Sequence, residues 1–194
     1  IVGIAGSQAS GINDAVHAMV AVLAHRGPDD QGVWVDGQVG LSNRRLAILD
    51  LSTSGHQPMI SPDGQLVVSY NGEVYNFVEL RAELGGAFSS ATDTEIVVRA
   101  IQRWGVGALD RFNGMFAFAA WDRRNGNLLL ARDRFGVKPL YYAERGNALF
   151  FASEIKALAA AGLTIELDEA TWATYLRDGM YDHGEKTFFK GIHR

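Results

Sequence analysis

Three places in the 194-residue sequence put polar side chains where the neighbouring pattern is apolar. Asn71-Gly72-Glu73 follows directly on Leu66-Val67-Val68-Ser69-Tyr70. Asn-Gly is the strongest short hairpin signal, so on local sequence a plain turn is the stronger reading. The chemical alternative is an oxyanion hole. An Asn side-chain amide and the next backbone N–H can point at one developing negative oxygen, and Gly lets the backbone approach closely. Arg45 enters the apolar run Asn43-Arg44-Arg45-Leu46-Ala47-Ile48-Leu49. It reads as a snorkelling surface cation or as a fork that grips a carboxylate. Asp93 stands between Thr92 and Glu95, where an acid favours a helix start or pairs with a substrate ammonium. Local sequence leaves these alternatives open.

Other chemistries are excluded by count or spacing. There is no Cys, so a cysteine nucleophile, disulfides and thiolate metal sites are absent from these residues. The five His (His17, His25, His56, His183, His193) lack metal-ligand spacing, so no metal site is expected. No Walker-type loop, G-x-G-x-x-G or G-x-S-x-G elbow occurs. A net charge of -4 with no basic stripe argues against a nucleic-acid partner. No apolar run approaches the roughly 20 residues that span a bilayer, and no signal peptide opens the chain. The lack of Cys fits a cytoplasmic protein.

The elements that must position these residues can be read from periodicity. Ile1–Ala5 reads as a buried strand, and Asn13–His25 as a helix with Val16, Met19, Val20 and Leu23 on one face. Asp36-Gly37 and Asp63-Gly64 mark hairpins. Helices fit 77–84 and 95–104, and Thr92 with Glu95 has the spacing of a capping box. Strands fit 115–121 and 128–131 around the turn Asn125-Gly126, then 140–143 and 149–152. Helices fit 154–160 and 169–177, and Phe188–Arg194 is strand-like. Strands in hairpins outnumber helices, which predicts antiparallel sheets with helices packed outside them.

Several segments in order carry a resemblance: Val2-Gly3-Ile4-Ala5-Gly6, His25-Arg26-Gly27-Pro28-Asp29, Arg45-Leu46, Tyr70-Asn71-Gly72-Glu73-Val74-Tyr75-Asn76 and Thr92-Asp93-Thr94-Glu95. Asn113-Gly114-Met115-Phe116-Ala117-Phe118, Arg132-Asp133-Arg134-Phe135-Gly136-Val137-Lys138-Pro139-Leu140-Tyr141-Tyr142 and Ser153-Glu154-Ile155-Lys156-Ala157-Leu158 complete the set. The series resembles the N-terminal glutaminase domain of glutamine-hydrolysing asparagine synthetases, a class II glutamine amidotransferase. The resemblance implies an α+β fold, a four-layer αββα sandwich of the N-terminal-nucleophile hydrolase type. It implies that residues 1–194 form one domain cut from a longer chain with a C-terminal synthetase domain. It assigns Arg45 to the glutamine α-carboxylate, Asp93 to its ammonium, Glu73 to substrate contact, and Asn71 and Gly72 to the oxyanion hole. The backbone around Ile48 and Leu49 would line the pocket. No cofactor is implied for this domain. ATP and Mg would belong to the C-terminal domain, which would amidate aspartate, and a homodimer is left open.

The resemblance also implies a nucleophile. Members of the family open with Cys-Gly-Ile-Ala-Gly, whose thiol attacks the glutamine amide while the chain's own α-amine acts as base. Aligned on Val2-Gly3-Ile4-Ala5-Gly6, the Cys position falls on Val2, which has no nucleophilic atom. On that alignment, deleting Ile1 and installing Val2→Cys supplies thiol and amine together. Val2 is then explained by altered first residues, by a domain that lost hydrolysis as in β-lactam synthetases, or by an interaction module with a relic pocket.

Overall fold

The computed structural model describes residues 1–6, 11–48, 50–180 and 184–194. Nine strands and five helices are described: β1 (Val2–Gly6), α1 (Ile12–Ala21), β2 (Asp30–Asp36), β3 (Val39–Arg45), β4 (Met59–Ile60), β5 (Leu66–Val74), α2 (Phe77–Leu84), α3 (Asp93–Trp104), β6 (Gly114–Asp122), β7 (Asn127–Arg132), β8 (Tyr141–Arg145), β9 (Ala148–Ala152), α4 (Ile155–Ala160) and α5 (Glu169–Asp178). They form two antiparallel sheets, ordered β2-β3-β1-β9-β8 and β4-β5-β6-β7.

Alternation along each strand divides the apolar residues among three layers. Val2 and Ile4 pack with Ile12, Val16, Met19, Val20 and Leu158, between the five-stranded sheet and helices α1 and α4. Ile1, Val39, Leu41, Val67, Ala117, Ala119 and Phe151 fill the gap between the sheets. Leu66, Val68, Tyr70 and Val74 pack with Ile96, Val97 and Ile101, so α2 and α3 cover the far face of the four-stranded sheet. The result is the expected αββα sandwich.

Asn125-Gly126 is the turn the sequence signals, with Gly126 at φ 69° between β6 and β7. Asn71-Gly72 is not a turn. It lies inside β5, paired opposite Ala117 and Phe116. A side chain at Gly72 would run into Met115 O and come within 2.7 Å of Phe116 Cα. The run containing Arg45 stops being a strand at Arg45, and Leu46, Ile48 and Leu51 are exposed in the loop that follows. The first helix ends at Ala21, and a 3-10 turn over Ala24–Arg26 replaces its expected end. Among the described residues the strand-like end 188–194 makes only isolated bridges, such as Tyr142 to His193.

The capping box forms by half. Thr92 Oγ1 accepts from Glu95 N at 3.3 Å. The Glu95 carboxylate turns instead to Ser89 N, Ser90 N, Ser90 Oγ and Arg99. That cluster of donors outweighs the single N–H that a box would offer.

Asp133 organises the loop after β7. Its buried carboxylate accepts from the backbone N–H groups of Phe116, Phe135, Val137 and Lys138. Those hydrogen bonds hold its pKa below the usual carboxylate value against the opposing effect of burial. Asp133→Ala leaves these donors without an acceptor and is expected to lower unfolding stability by about 2–4 kcal/mol, read by urea denaturation. A loss under about 0.5 kcal/mol would contradict this account of the loop.

Candidate functional site

β3 and β5 face each other across the gap between the sheets. Their odd-numbered residues point into it, beginning apolar (Val39, Leu41, Val67) and ending polar. The polar continuation is Asn43 and Arg45 on β3, with Ser69, Asn71 and Glu73 on β5. A cavity of about 290 Å³ opens where the apolar filling stops. Its walls include Arg45, Ile48, Asn71, Gly72, Glu73 and Asp93, brought together from β3, the loop after it, β5 and the first turn of α3. Leu49, the remaining expected wall residue, lies outside the described residues.

Arg45 is fixed by its loop. Nη1 donates to Ser52 O at 2.8 Å and Nη2 donates to Asp50 O. Gly55 packs flat on the guanidinium, where any side chain would collide with it. A guanidinium has five N–H donors, so these two bonds leave a cationic edge for an anion. Asp50, which Arg45 clasps through its carbonyl, ties the loop to the segment just before α3 by accepting from Ala91 N at 3.2 Å.

Asp93 is the first residue of α3 and is buried. Its Oδ2 accepts from Tyr70 Oη at 2.6 Å and from Val74 N at 3.0 Å. Burial raises its pKa, Glu73 adds to the rise, and the Tyr70 and Val74 hydrogen bonds oppose it. The Tyr70 hydroxyl is pushed up in turn, by burial first and then by the Asp93 charge.

Asn71 and Gly72 present donors. Asn71 Nδ2 is buried without a hydrogen-bond partner among the described residues. Along β5 the N–H groups of Tyr70 and Val74 point away from β6, to Gln57 Oε1 at 2.7 Å and Asp93 Oδ2 at 3.0 Å. The period of two sends the Gly72 N–H in the same direction, between those two acceptors and toward the cavity. Beyond Met59↔Val68 and Ile60↔Val67, β4 offers that edge no further ladder pairing.

Sequence reasoning gave no role to Asn43, Gln57, Tyr70 or Arg26, which also line the cavity. One signal was available: Val39, Leu41 and Asn43 alternate on one face, and Asn43 interrupts the apolar series. Gln57 carries no such pattern, because its partners are Asn43, Tyr70 and Thr94.

Val2 is the position that the alignment on Gly3-Ile4-Ala5-Gly6 gives to the nucleophile. It is not a wall of the cavity, is fully buried, and packs against α1 and α4 on the opposite side of its sheet from the inter-sheet gap. Ile1, one residue earlier, faces the gap. The Ile1 amino group is buried and donates to Ser153 Oγ at 2.9 Å. Burial and Arg26 push it down to about 5, with Glu154 opposing.

The glutamine amidotransferase domain family matches residues 1–194. The chain belongs to that family. Among relatives of this amidotransferase domain, asparagine synthetase [glutamine-hydrolyzing] 2 of Bacillus subtilis is 45% identical over 141 residues, covering 72% of the chain and 19% of the relative. A putative asparagine synthetase [glutamine-hydrolyzing] 2 of Methanocaldococcus jannaschii is 38% identical, covering 77% of the chain and 32% of the relative. The chain therefore spans about a fifth to a third of the length of these relatives. The glutamine phosphoribosylpyrophosphate amidotransferase of B. subtilis, complexed with ADP and GMP, superposes with a TM-score of 0.72 at 22% identity. It covers 84% of the chain and 43% of that structure, which establishes the shared fold. Among the described residues no helix is long and apolar enough to cross a membrane, and no group of three or more His, Cys, Asp or Glu is placed to hold a metal.

The absence of native Cys makes the location of Val2 directly measurable. The thiol of Val2→Cys is expected to react with a thiol reagent at least about a hundredfold more slowly in the folded chain than in urea, because it faces the helical layer. Equal rates would contradict the burial of that position.

Proposed function

We propose that the cavity binds L-glutamine and that the domain hydrolyses it to glutamate and ammonia once a nucleophile is mounted at the N-terminal end of β1. The observation that carries this reading is Asn71 Nδ2, a buried amide donor without a partner among the described residues, in a cavity that also holds a fixed guanidinium and a buried carboxylate. A buried donor is costly to leave unsatisfied, so a ligand oxygen there removes a penalty. Arg45 takes the α-carboxylate, Asp93 the α-ammonium, and Glu73 a further substrate contact. Asn71 Nδ2 and Gly72 N take the side-chain carbonyl oxygen as it becomes an oxyanion.

Strand register supports a location for the nucleophile. Val2 lies opposite Ser42 on antiparallel β3. Continued backwards, the register sets Ile1 opposite Asn43 and the position two ahead of Ile1 opposite Arg45, a wall of the cavity. That position shares a face with Ile1, which points into the inter-sheet gap. The family's Cys-Gly-Ile opening fits Ile1 as readily as Ile4, and only the fit to Ile1 turns a Cys toward Arg45 and Asn71. The thiolate then attacks the amide carbon, ammonia leaves, and water releases glutamate from the thioester. The α-amine of that Cys, ordinarily titrating near 8, accepts and returns the proton at neutral pH. In a longer chain of the asparagine synthetase kind, the ammonia serves an ATP- and Mg-dependent amidation of aspartate in a C-terminal domain.

Two proteins test this together. The chain prefixed with Cys-Gly ahead of Ile1 is expected to release glutamate from glutamine, and the chain lacking Ile1 with Val2→Cys is not. Activity in the second and none in the first would overturn the placement of the nucleophile. In the active protein, Asn71→Ala is expected to lower kcat by roughly 10²–10³. Arg45→Ala is expected to raise KM by about tenfold or more with a smaller change in kcat. Equal effects of both changes on both parameters would contradict these roles.

Asp93 sets a pH dependence. Its folded pKa is raised above the ordinary 3.8, so on acidification it is neutralised at a pH where an exposed Asp is still charged. Glutamine affinity is therefore expected to fall as pH drops through the window above 3.8. Because burial penalises the charged form, the same protonation stabilises the folded chain. Calorimetric titration of the chain with glutamine at several pH values reads the first effect. Affinity that improves on acidification through that window would contradict the ammonium assignment.

A further inference from the structure

We propose that Gln57 is a positioning residue that opens the cavity beside Gly72 and holds the oxyanion donors in register. The inference rests on the glutamine reading above.

β4 pairs with β5 at Ile60↔Val67 and Met59↔Val68. Continued by two residues, that register brings position 57 opposite Tyr70. In a regular ladder the backbone carbonyl of residue 57 would accept the Tyr70 N–H. Here the Gln57 side-chain Oε1 accepts it, at 2.7 Å. The side chain acts as a spacer, moving the Gln57 backbone away from β5 by its own length. The next pairing on that edge would be Gly55 with Gly72. Gly55 instead packs on the Arg45 guanidinium, and the Gly72 N–H is left facing the cavity.

The rest of the Gln57 amide is also committed. Oε1 accepts from Asn43 Nδ2 at 3.2 Å, and Nε2 donates to Thr94 Oγ1 at 3.4 Å. Asn43 Nδ2 in turn donates to Tyr70 O at 2.9 Å. One buried amide thus joins β3, β5 and the first turn of α3, the three elements that carry Arg45, Asn71 and Asp93. On the opposite side the Gln57 carbonyl lies against Gly32, where any side chain would displace it. An acceptor that spans a strand spacing, flanked by a donor, is a requirement an amide meets and an aliphatic side chain does not.

The test uses the chain as it stands, labelled with ¹⁵N and titrated with L-glutamine. Saturating glutamine is expected to shift the Gly72 backbone amide and the Asn71 side-chain amide. In Gln57→Leu the Gly72 shift is expected to fall to less than about a third, while Tyr70 amide exchange speeds at least about tenfold. Gln57→Glu retains the acceptor oxygens but not the donor to Thr94, and is expected to restore the Gly72 response to about half. An undiminished Gly72 response in folded Gln57→Leu would overturn the proposal. If Gln57→Leu does not fold, Thr94→Val serves. It frees one end of the amide and is expected to lower the Gly72 response about twofold, and an unchanged response would overturn the proposal equally. Absence of any shift in the unsubstituted chain would instead sink the glutamine reading itself.

Discussion

Two sheets packed face to face must fill the gap between them with every second residue of the facing strands, and this constraint governs the molecule. On β3 and β5 those residues are apolar for part of the strand and polar for the rest. Where they are apolar the layer closes as a core. Where they become polar, each group needs a partner, because an unsatisfied polar atom in a buried layer costs roughly 1–3 kcal/mol. Asn43, Ser69 and Gln57 satisfy one another and the backbone across the gap: Ser69 Oγ donates to Ser42 O at 2.9 Å, and Asn43 Nδ2 to Tyr70 O. Among the described residues Asn71 Nδ2 has no partner at the end of this series. The cavity is the part of the sandwich that the polar residues hold apart.

The charges follow the same geometry. Arg45 ends β3 and is held by the carbonyls of the loop that follows it. Asp93 opens α3 and is held by a hydroxyl and a backbone N–H. A cation and an anion fixed on separate elements, both bounding one cavity, suit a zwitterionic amino acid better than a neutral ligand. Neither residue is an ion-pair partner of the other, so a ligand does not have to break a bridge to enter.

The layers, the antiparallel pairing and most elements were legible because alternation and helical periodicity are local. Val16, Met19 and Val20 mark one face of α1, and Asn125-Gly126 marks its turn. Asn71-Gly72 shows the limit. The same dipeptide is a turn at one position and strand interior at the other, and the difference is the pairing of Gly72 with Phe116, 44 residues away. Arg45, Asn71, Gly72, Glu73 and Asp93 stand out locally, but only the resemblance chose between their two readings, because no local rule separates a substrate-facing Arg from a snorkelling one. Gln57 was missed for the same reason, its meaning lying in partners on other elements, and Asn43 despite its interruption of the apolar alternation along β3. The face that Val2 occupies is not legible in the sequence, because a five-residue match does not specify which face of β1 a residue takes, whereas the register does.

The ligand proposed for the cavity is an α-amino acid held by both its charged ends. The most direct measurement is calorimetric titration of the unsubstituted chain with L-glutamine, alongside D-glutamine and the α-carboxamide of L-glutamine. Saturable binding of L-glutamine, with binding of the other two weakened by about tenfold or more, is the predicted result. No heat with L-glutamine at millimolar concentration, or equal binding of all three, would contradict it.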